Sequence, residues 1–136
     1  GVPGIAVSLN TPDDVTGEID YSTAAVVAEK ISRQVIEKKL PPGILLNVNV
    51  PYQPLDQLAG IMITRQGLRI YRDQLVRRED PRGKPYYWIG GEAPTGIPDE
   101  GTDFGALARG FVSITPLKLD LTAYDVVGEL RTWKWL

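Results

Sequence analysis

The sequence predicts an α/β fold built around a mostly parallel sheet. Two compact apolar runs, residues 5–9 and 44–51, are typical of buried strands, and an amphipathic helix is predicted between them. A strand, a helix and a strand in this order favour a right-handed crossover between parallel strands. The chain also carries 14 glycines and 11 prolines, which predict many turns and irregular connections.

The first strand is predicted over residues 5–9, entered through a Gly-Pro-Gly turn and covered on both faces. Such a strand needs neighbours, so its place at the very start of the chain predicts that part of the fold precedes it. After a polar loop, Ser22 or Thr23 is expected to cap a helix that runs to about Lys39. The apolar face of this helix, at helical spacing, consists of Ala24, Val27, Ala28, Ile31 and Val35.

From residue 61 the pattern of the sequence changes. Residues 61–66 and 68–80 alternate apolar and charged side chains, which predicts half-exposed antiparallel strands. A turn-rich segment, residues 80–85, separates them from another predicted strand over residues 86–92. Together these segments predict a projecting hairpin, the arm, followed by a loop over residues 93–101.

The last quarter of the chain predicts a closing strand between two helices. Thr102 can cap a short first helix, and residues 111–115 then form a strand that Pro116 ends. Thr122 and Asp125 have the spacing of a capping box before the last helix. One face of that helix is predicted to carry Val126, Leu130 and Trp133.

Composition excludes several classes of function. A chain of 136 residues, 43% apolar and 24% charged, fits one ordinary globular domain, and a net charge of −2 gives no general attraction for nucleic acid or anionic membrane. No apolar run approaches the ~20 residues of a membrane span, and no signal peptide is visible. Because histidine and cysteine are absent, His/Cys zinc sites and histidine acid–base chemistry within this chain are excluded. A metal held by this chain would be a hard cation with oxygen ligands.

Five blocks along the chain carry a resemblance to one known family. In order they are GVPGIAVSL, LLNVNVP, ITRQG, EDPRGKPYYWIGG and GTDFGALARGFVSITPLKLDLT. Each is similar to a signature segment of the SurE family, and the five stand in the family's order. The resemblance implies a Rossmann-like three-layer fold, of which this chain holds the C-terminal half with a projecting antiparallel β-hairpin arm and a C-terminal helix. Residues 1–60 would complete the parallel-sheet core, 61–100 form the arm, and 101–136 supply the closing strand and terminal helix.

The same resemblance implies a function. SurE proteins are cytoplasmic phosphatases that hydrolyse nucleoside 5′- or 3′-monophosphates with a divalent metal, Mg²⁺ or Mn²⁺. The family's ligands are an Asp-Asp pair after the first strand, a Ser, and an Asn in a Ser-Gly-x-Asn segment, and all are expected upstream of Gly1. This chain is therefore expected to hold no catalytic residue and no metal ligand, and to be inactive alone. It would supply the support and oligomerisation half of a homodimer or homotetramer.

Ser8 and Asn10 are the candidate substrate-binding residues. Both lie at the carboxyl end of the first predicted strand, the edge where ligands bind in open α/β sheets. The alternative is that they end the strand and cap the turn. Asp13 and Asp14 form the sole Asp-Asp pair and follow the same strand. A Thr-Pro-Asp-Asp loop without a third oxygen ligand nearby favours a solvated loop over a metal site.

The Gly-Thr-Asp sequence at residues 101–103 has two interpretations. One is a phosphate site, since the N-terminus of a helix binds anions. The favoured one is a capped helix start, because Asp103 at this opening would disfavour phosphate.

Arginines and aromatic residues are concentrated in the arm. They are Arg65, Arg69, Arg72, Arg77, Arg78 and Arg82, with Tyr71, Tyr86, Tyr87 and Trp88. Nucleic-acid binding by stacking and phosphate contact is one interpretation. Acidic residues are interleaved with these arginines and cancel much of their positive electrostatic field. They are Asp73, Glu79, Asp80 and Glu92. A subunit interface is therefore favoured, in which Arg and aromatic residues are common. An alternative to the enzyme is a non-catalytic assembly module that acts through the arm and the terminal helix.

Overall fold

The structure, a computed structural model, describes residues 4–135, without the side chains of residues 71–73 and 91–94. Within that range the strands are β1 (Gly4–Asn10), β2 (Ile44–Pro51), β3 (Gly60–Ile63), β4 (Arg69–Glu79), β5 (Pro85–Gly96) and β6 (Phe111–Lys118). The helices are α1 (Ser22–Lys38), α2 (Asp103–Leu107) and α3 (Tyr124–Leu130). No helix in this range is both long enough and apolar enough to cross a bilayer.

Four strands form the main sheet, in the order β1-β2-β6-β3. β1 and β2 are parallel, β2 and β6 antiparallel, and β6 and β3 parallel. The predicted crossover from β1 through α1 to a parallel β2 is confirmed, and β2 has the predicted bounds. The α/β fold class is therefore correct, with one antiparallel neighbour in the sheet.

One face of the sheet is apolar and is covered by α1. Side chains alternate between the two faces along a strand, so Leu46, Val48 and Val50 of β2 point to the same side. The buried core comprises Ala24, Val27, Ile31, Val35, Leu46, Val48, Val50, Val112 and Ile114. Four of the five residues predicted for the apolar face of α1 are in this core. Fully burying one such side chain contributes about 1.5–3 kcal/mol, so this face is the main source of stability in the described fold.

The predicted cover on both faces of β1 is not present among the described residues. Ile5 and Leu9 are half-buried against the core, whereas Val7 is 37% exposed and the residues on the opposite face are exposed. Among the described residues β1 pairs with β2 alone, so its outer edge and much of its surface have no cover. The Gly-Pro-Gly turn predicted before it includes residues outside the described range.

The predicted arm is confirmed, with different bounds. β4 and β5 form a separate two-stranded antiparallel sheet joined by the predicted turn. The predicted antiparallel strand over residues 61–66 was wrong, because Ile61–Ile63 lies in β3 and pairs with β6 in parallel. The arm therefore begins at Arg69 rather than at residue 61. Its second strand extends to Gly96, into the predicted loop.

Pro116 was predicted to end the closing strand, and instead it lies within β6. The backbone N–H of Thr64 donates to the carbonyl of Ile114 at 2.9 Å, so the backbone groups of Ile114 point towards β3. Every second residue of β6 counted from Ile114 points the same way. Pro116 lies two residues after Ile114, so its nitrogen also points towards the β3 side. β3 has already ended there, at Ile63. The missing N–H of proline therefore removes no ladder hydrogen bond.

The predicted caps of α1 and α3 were wrong, and an aspartate two residues upstream has a similar role at each site. Ser22 is already helical, and its N–H donates to the Asp20 carboxylate at 2.8 Å. Asp120 likewise accepts from the N–H of Thr122 at 2.9 Å, so Thr122 is not the cap. α3 ends at Leu130, and the predicted Trp133 therefore lies beyond the helix.

Candidate functional site

The second face of the main sheet is polar. Asn47 and Asn49 alternate with the apolar residues of β2 and so point away from α1. The register places Ser8 beside Asn49 on one side and Ser113 beside Asn49 on the other. A row of small polar side chains therefore crosses three strands on the face opposite the core.

A cleft of about 550 Å³ opens on this polar face. Its lining residues are Ser8, Asn10, Asn47, Asn49, Gln66, Gly67, Arg69, Asp103, Phe104 and Leu107. Both sequence-predicted site residues, Ser8 and Asn10, are therefore brought together with the asparagines of β2. Their role as substrate-binding residues stays a prediction.

The floor of this region is held by a buried cluster of three hydroxyls. Thr64 Oγ1 lies 2.8 Å from Ser113 Oγ and 2.7 Å from Thr115 Oγ1, and all three residues are buried. Because one hydroxyl can donate only once, the three groups form a connected chain of donors and acceptors. The cluster fixes the end of β3 to the polar face of β6.

The wall of the cleft is the start of α2. Thr102 caps this helix, as predicted, by accepting from the N–H of Gly105 at 3.0 Å. The Asp103 carboxylate accepts from the N–H of Gly67 at 2.8 Å and from that of Phe104 at 2.9 Å. The favoured interpretation of residues 101–103, a capped helix start, is therefore the one that the structure has. α2 has only five residues, and a carboxylate takes the donors where a phosphate would bind.

Amide side chains line the cleft on the β1 and β2 side. Among the residues that the structure describes, the side chains of Asn10, Asn47 and Asn49 make no hydrogen bond. Asn47 and Asn49 are half-buried on the sheet, so their donors and acceptors are directed into the cleft rather than into bulk solvent. A group that enters the cleft meets uncharged hydrogen-bonding partners on a rigid strand.

A second cleft, of about 460 Å³, lies on the α1 side of the sheet. It is bordered by Leu9, Tyr52 and the start of α1, where the Asp20 carboxylate already accepts from Ser22. The polar cleft is the better candidate site, because it gathers Ser8, Asn10 and the asparagines of β2 at the carboxyl end of β1.

The described residues do not supply a metal site. Asp13 and Asp14 are exposed in a turn, as the loop interpretation expects. Among the side chains that the structure describes, no three acidic groups converge closely enough to bind a cation. The described side chains therefore do not fit a Mg²⁺ or Mn²⁺ centre held by three carboxylates.

The arm exposes large apolar side chains on both of its faces. Leu75 faces Ile89 across the two strands, and Val76 faces Trp88. Ile89 is 74% exposed and Trp88 65% exposed. The Arg77 guanidinium forms a salt bridge with the Glu79 carboxylate at 3.0 Å, which neutralises one positive charge of the arm. The side chains of Tyr71, Arg72, Asp73 and Glu92 lie outside the described residues. This surface suits a protein contact better than a nucleic acid.

Sequence reasoning missed most of the cleft. Asn47 and Asn49 stand at alternate positions in an otherwise apolar strand, and that period was the available signal. The contributions of Gln66 and Asp103 depend on how the β3–β4 connection meets α2, which no local pattern contains.

The chain is similar to known proteins along nearly its whole length. Residues 1–73 match the family model described as Survival protein SurE. The chain is 46% identical to the 5′-nucleotidase SurE of Chloroflexus aggregans over 99% of this chain and 53% of that protein. For the 5′-nucleotidase SurE of Herpetosiphon aurantiacus the values are 51%, 99% and 52%.

A solved structure shares this fold. The SurE protein from Aquifex aeolicus superposes with a TM-score of 0.72 at 37% identity, over 96% of this chain and 51% of that one. The chain spans about half the length of the curated relatives it matches. Because the family model matches 73 of the 136 residues and these relatives match nearly all of them, the chain belongs to the SurE family.

Proposed function

We propose that the protein containing this chain is a phosphatase that hydrolyses nucleoside 5′- and 3′-monophosphates to a nucleoside and phosphate. The observation that carries the proposal is the similarity to proteins named 5′-nucleotidase SurE, at 46–51% identity over 99% of this chain. Since the chain spans about half of those relatives, the activity is assigned to a longer protein, and this chain alone is expected to be inactive.

A divalent metal, Mg²⁺ or Mn²⁺, is part of the proposal. The described residues hold no cluster of three acidic ligands, so the proposal assigns the metal ligands to residues outside this segment. Location in the cytoplasm is also proposed, and the absence of cysteine supports a reducing compartment.

Within this enzyme the chain is proposed to be the support and oligomerisation half. The buried core under α1 gives β1 and β2 a rigid base, and Ser8 and Asn10 are proposed to contact substrate from the end of β1. The arm is proposed to join copies in a homodimer or homotetramer. The exposed pairs Leu75–Ile89 and Val76–Trp88 support that role, because large apolar side chains on both faces of a hairpin need a cover.

Phosphate release tests the proposal directly. The assay uses nucleoside 5′- and 3′-monophosphates with Mn²⁺, with Mg²⁺ and with EDTA, on the full-length protein and on this chain alone. Activity in the full-length protein that EDTA abolishes, and none in the chain alone, is the expected result. Activity of the chain alone would overturn the assignment of the catalytic residues elsewhere. No activity in either sample would overturn the nucleotidase.

A non-catalytic assembly module is the second candidate. The observation that favours it is that neither the arm nor α3 buries a large side chain within the described fold. Light scattering of the full-length protein, with and without Trp88→Ser and Ile89→Ser, measures the contribution of the arm to assembly. A module predicts assembly without phosphatase activity, whereas the enzyme predicts both.

A further inference from the structure

We propose that the polar cleft beside β1 and β2 binds the nucleobase of the nucleotide, with the amides of Asn47 and Asn49 as the groups that read its edge. This inference rests on the proposed function and adds the part of the substrate that this chain would recognise. Asn10 and Gln66 border the same cleft and could add further contacts.

The first argument is the state of the two amides. Each offers two N–H donors and a carbonyl acceptor. Both are half-buried, and neither has a hydrogen-bond partner among the described residues. A half-buried polar group without a partner among these residues is satisfied by water, by residues outside this segment or by a ligand. A ligand of matching pattern replaces water there without further ordering of the strand.

The second argument is the rigidity of their support. Asn47 pairs in register with Thr115, and Asn49 with Ser113. Both hydroxyl residues are anchored by the buried Thr64, and the β2 residues between the asparagines and after them belong to the core. The two amides are therefore held on the same face of one strand, two residues or roughly 6.6–6.8 Å apart along it.

The third argument is the charge of the cleft. Arg69 and Asp103 bring one charge of each sign to the lining, so the cleft offers no net attraction for a phosphate. The carboxylate of Asp103 is also occupied by two backbone N–H groups. Neutral amides suit the mixed donor and acceptor pattern of a base edge, which proteins read through Asn and Gln.

The test compares substrates with and without a base. Full-length Asn47→Ala and Asn49→Ala variants are assayed on AMP, GMP, CMP, UMP and base-free ribose 5-phosphate. We expect kcat/KM to fall about five- to tenfold on at least one of the nucleotides, which is the loss of roughly one net hydrogen bond, and to stay unchanged on ribose 5-phosphate. Gln34→Ala removes an exposed amide from α1, on the opposite face of the sheet, and serves as the matched control.

Each other outcome counts against the inference. An equal loss on nucleotides and ribose 5-phosphate would assign the amides to the sugar or to the phosphate, and no loss would leave the cleft without a role in binding. Asn49→Asp keeps the side-chain shape and removes its donors, so a changed order of preference among the bases is expected, and thermal unfolding checks that the variants fold. If the wild type releases no phosphate, the proposed function fails, and calorimetry with adenosine and guanosine on wild type and Asn49→Ala then tests the base site by itself.

Discussion

The carboxylate of Asp103 accepts a hydrogen bond from the backbone N–H of Gly67 at 2.8 Å, and this contact joins the start of α2 to the connection between β3 and β4. A Cβ on Gly67 would lie 2.8 Å from the same carboxylate oxygen, so the close approach depends on glycine. Two segments that are far apart in sequence thus meet at one wall of the cleft.

Asp103→Ala is expected to destabilise the protein by about 1.5–3 kcal/mol. The substitution leaves the N–H groups of Gly67 and Phe104 without their charged acceptor, and hydrogen bonds to charged groups are worth about this much. Urea unfolding measures the loss. Asp103→Asn keeps one acceptor oxygen and should lose less, and equal losses in the two variants would contradict the role given to the carboxylate.

Thr64→Val is expected to cost about 1–3 kcal/mol of unfolding free energy. Valine has nearly the shape of threonine but leaves the buried hydroxyls of Ser113 and Thr115 without their shared partner. Thr64→Ser is the control, since it keeps the hydroxyl and loses only a methyl group, about 0.8 kcal/mol. Urea unfolding in which valine proves no worse than serine would show that the hydroxyl chain contributes nothing.

Gly105→Ala is expected to destabilise the protein by about 1–3 kcal/mol. A Cβ at this position would overlap the backbone carbonyl of Asp99, the same carbonyl that accepts from the Thr102 hydroxyl at 2.6 Å. The loop before α2 would have to move, and the cap would be lost with it. Thermal unfolding checks the prediction, and a wild-type melting temperature would mean that the loop yields freely.

Gly128→Ala is the matched substitution with the opposite sign. Nothing lies within 4 Å of a Cβ there, and the residue is in the interior of α3. Alanine should stabilise the helix by about 0.5–1 kcal/mol and slow amide exchange in α3 about two- to fivefold. Faster exchange would indicate a contact that α3 makes in the assembled protein.

Local sequence signals predicted those elements whose cause is local. The bounds of β2, the buried face of α1 and the Thr102 cap follow from strand length, helical period and one side chain. The place of β3 in the main sheet could not be predicted in this way, because its parallel pairing with β6 joins segments about 50 residues apart. The position of Pro116 inside β6 could not be predicted for the same reason, since a proline is tolerated there only because β3 has already ended.

The candidate site also has one part that local sequence signals predict and one part that depends on pairing between distant segments. Ser8 and Asn10 could be found because the end of a predicted parallel strand is a general place for ligands. The alternation along β2 is enough to place Asn49 on the polar face. Its position beside Ser8 and Ser113 could not be predicted, because it depends on the register of three strands. Register depends on which faces are buried across several strands, and one strand alone does not fix it.

The Asp120 carboxyl is expected to titrate well below an ordinary aspartate. Hydrogen bonds from the Tyr124 hydroxyl, at 2.7 Å, and then from Thr122 lower its pKa from 3.8 to about 2. Because the folded pKa is the lower one, the stabilisation at the start of α3 is fully present above pH 3.8. It is lost as the pH falls from there through about 2. Carboxyl NMR titration measures the pKa, and amide exchange in α3 measures the consequence.

Tyr124→Phe separates this hydrogen bond from other causes. The variant keeps the ring and removes the largest contribution, so the pKa of Asp120 should rise towards 3.8, and the start of α3 should loosen at a higher pH than in the wild type. Tyr21→Phe is the matched control, since Tyr21 is exposed and distant in sequence from α3. An unchanged Asp120 titration in Tyr124→Phe would mean that the hydrogen bonds from Thr122 alone account for the lowered pKa. In that case Asp120 would act at α3 as Asp20 acts at α1, through hydrogen bonds from the residue two positions further along the chain.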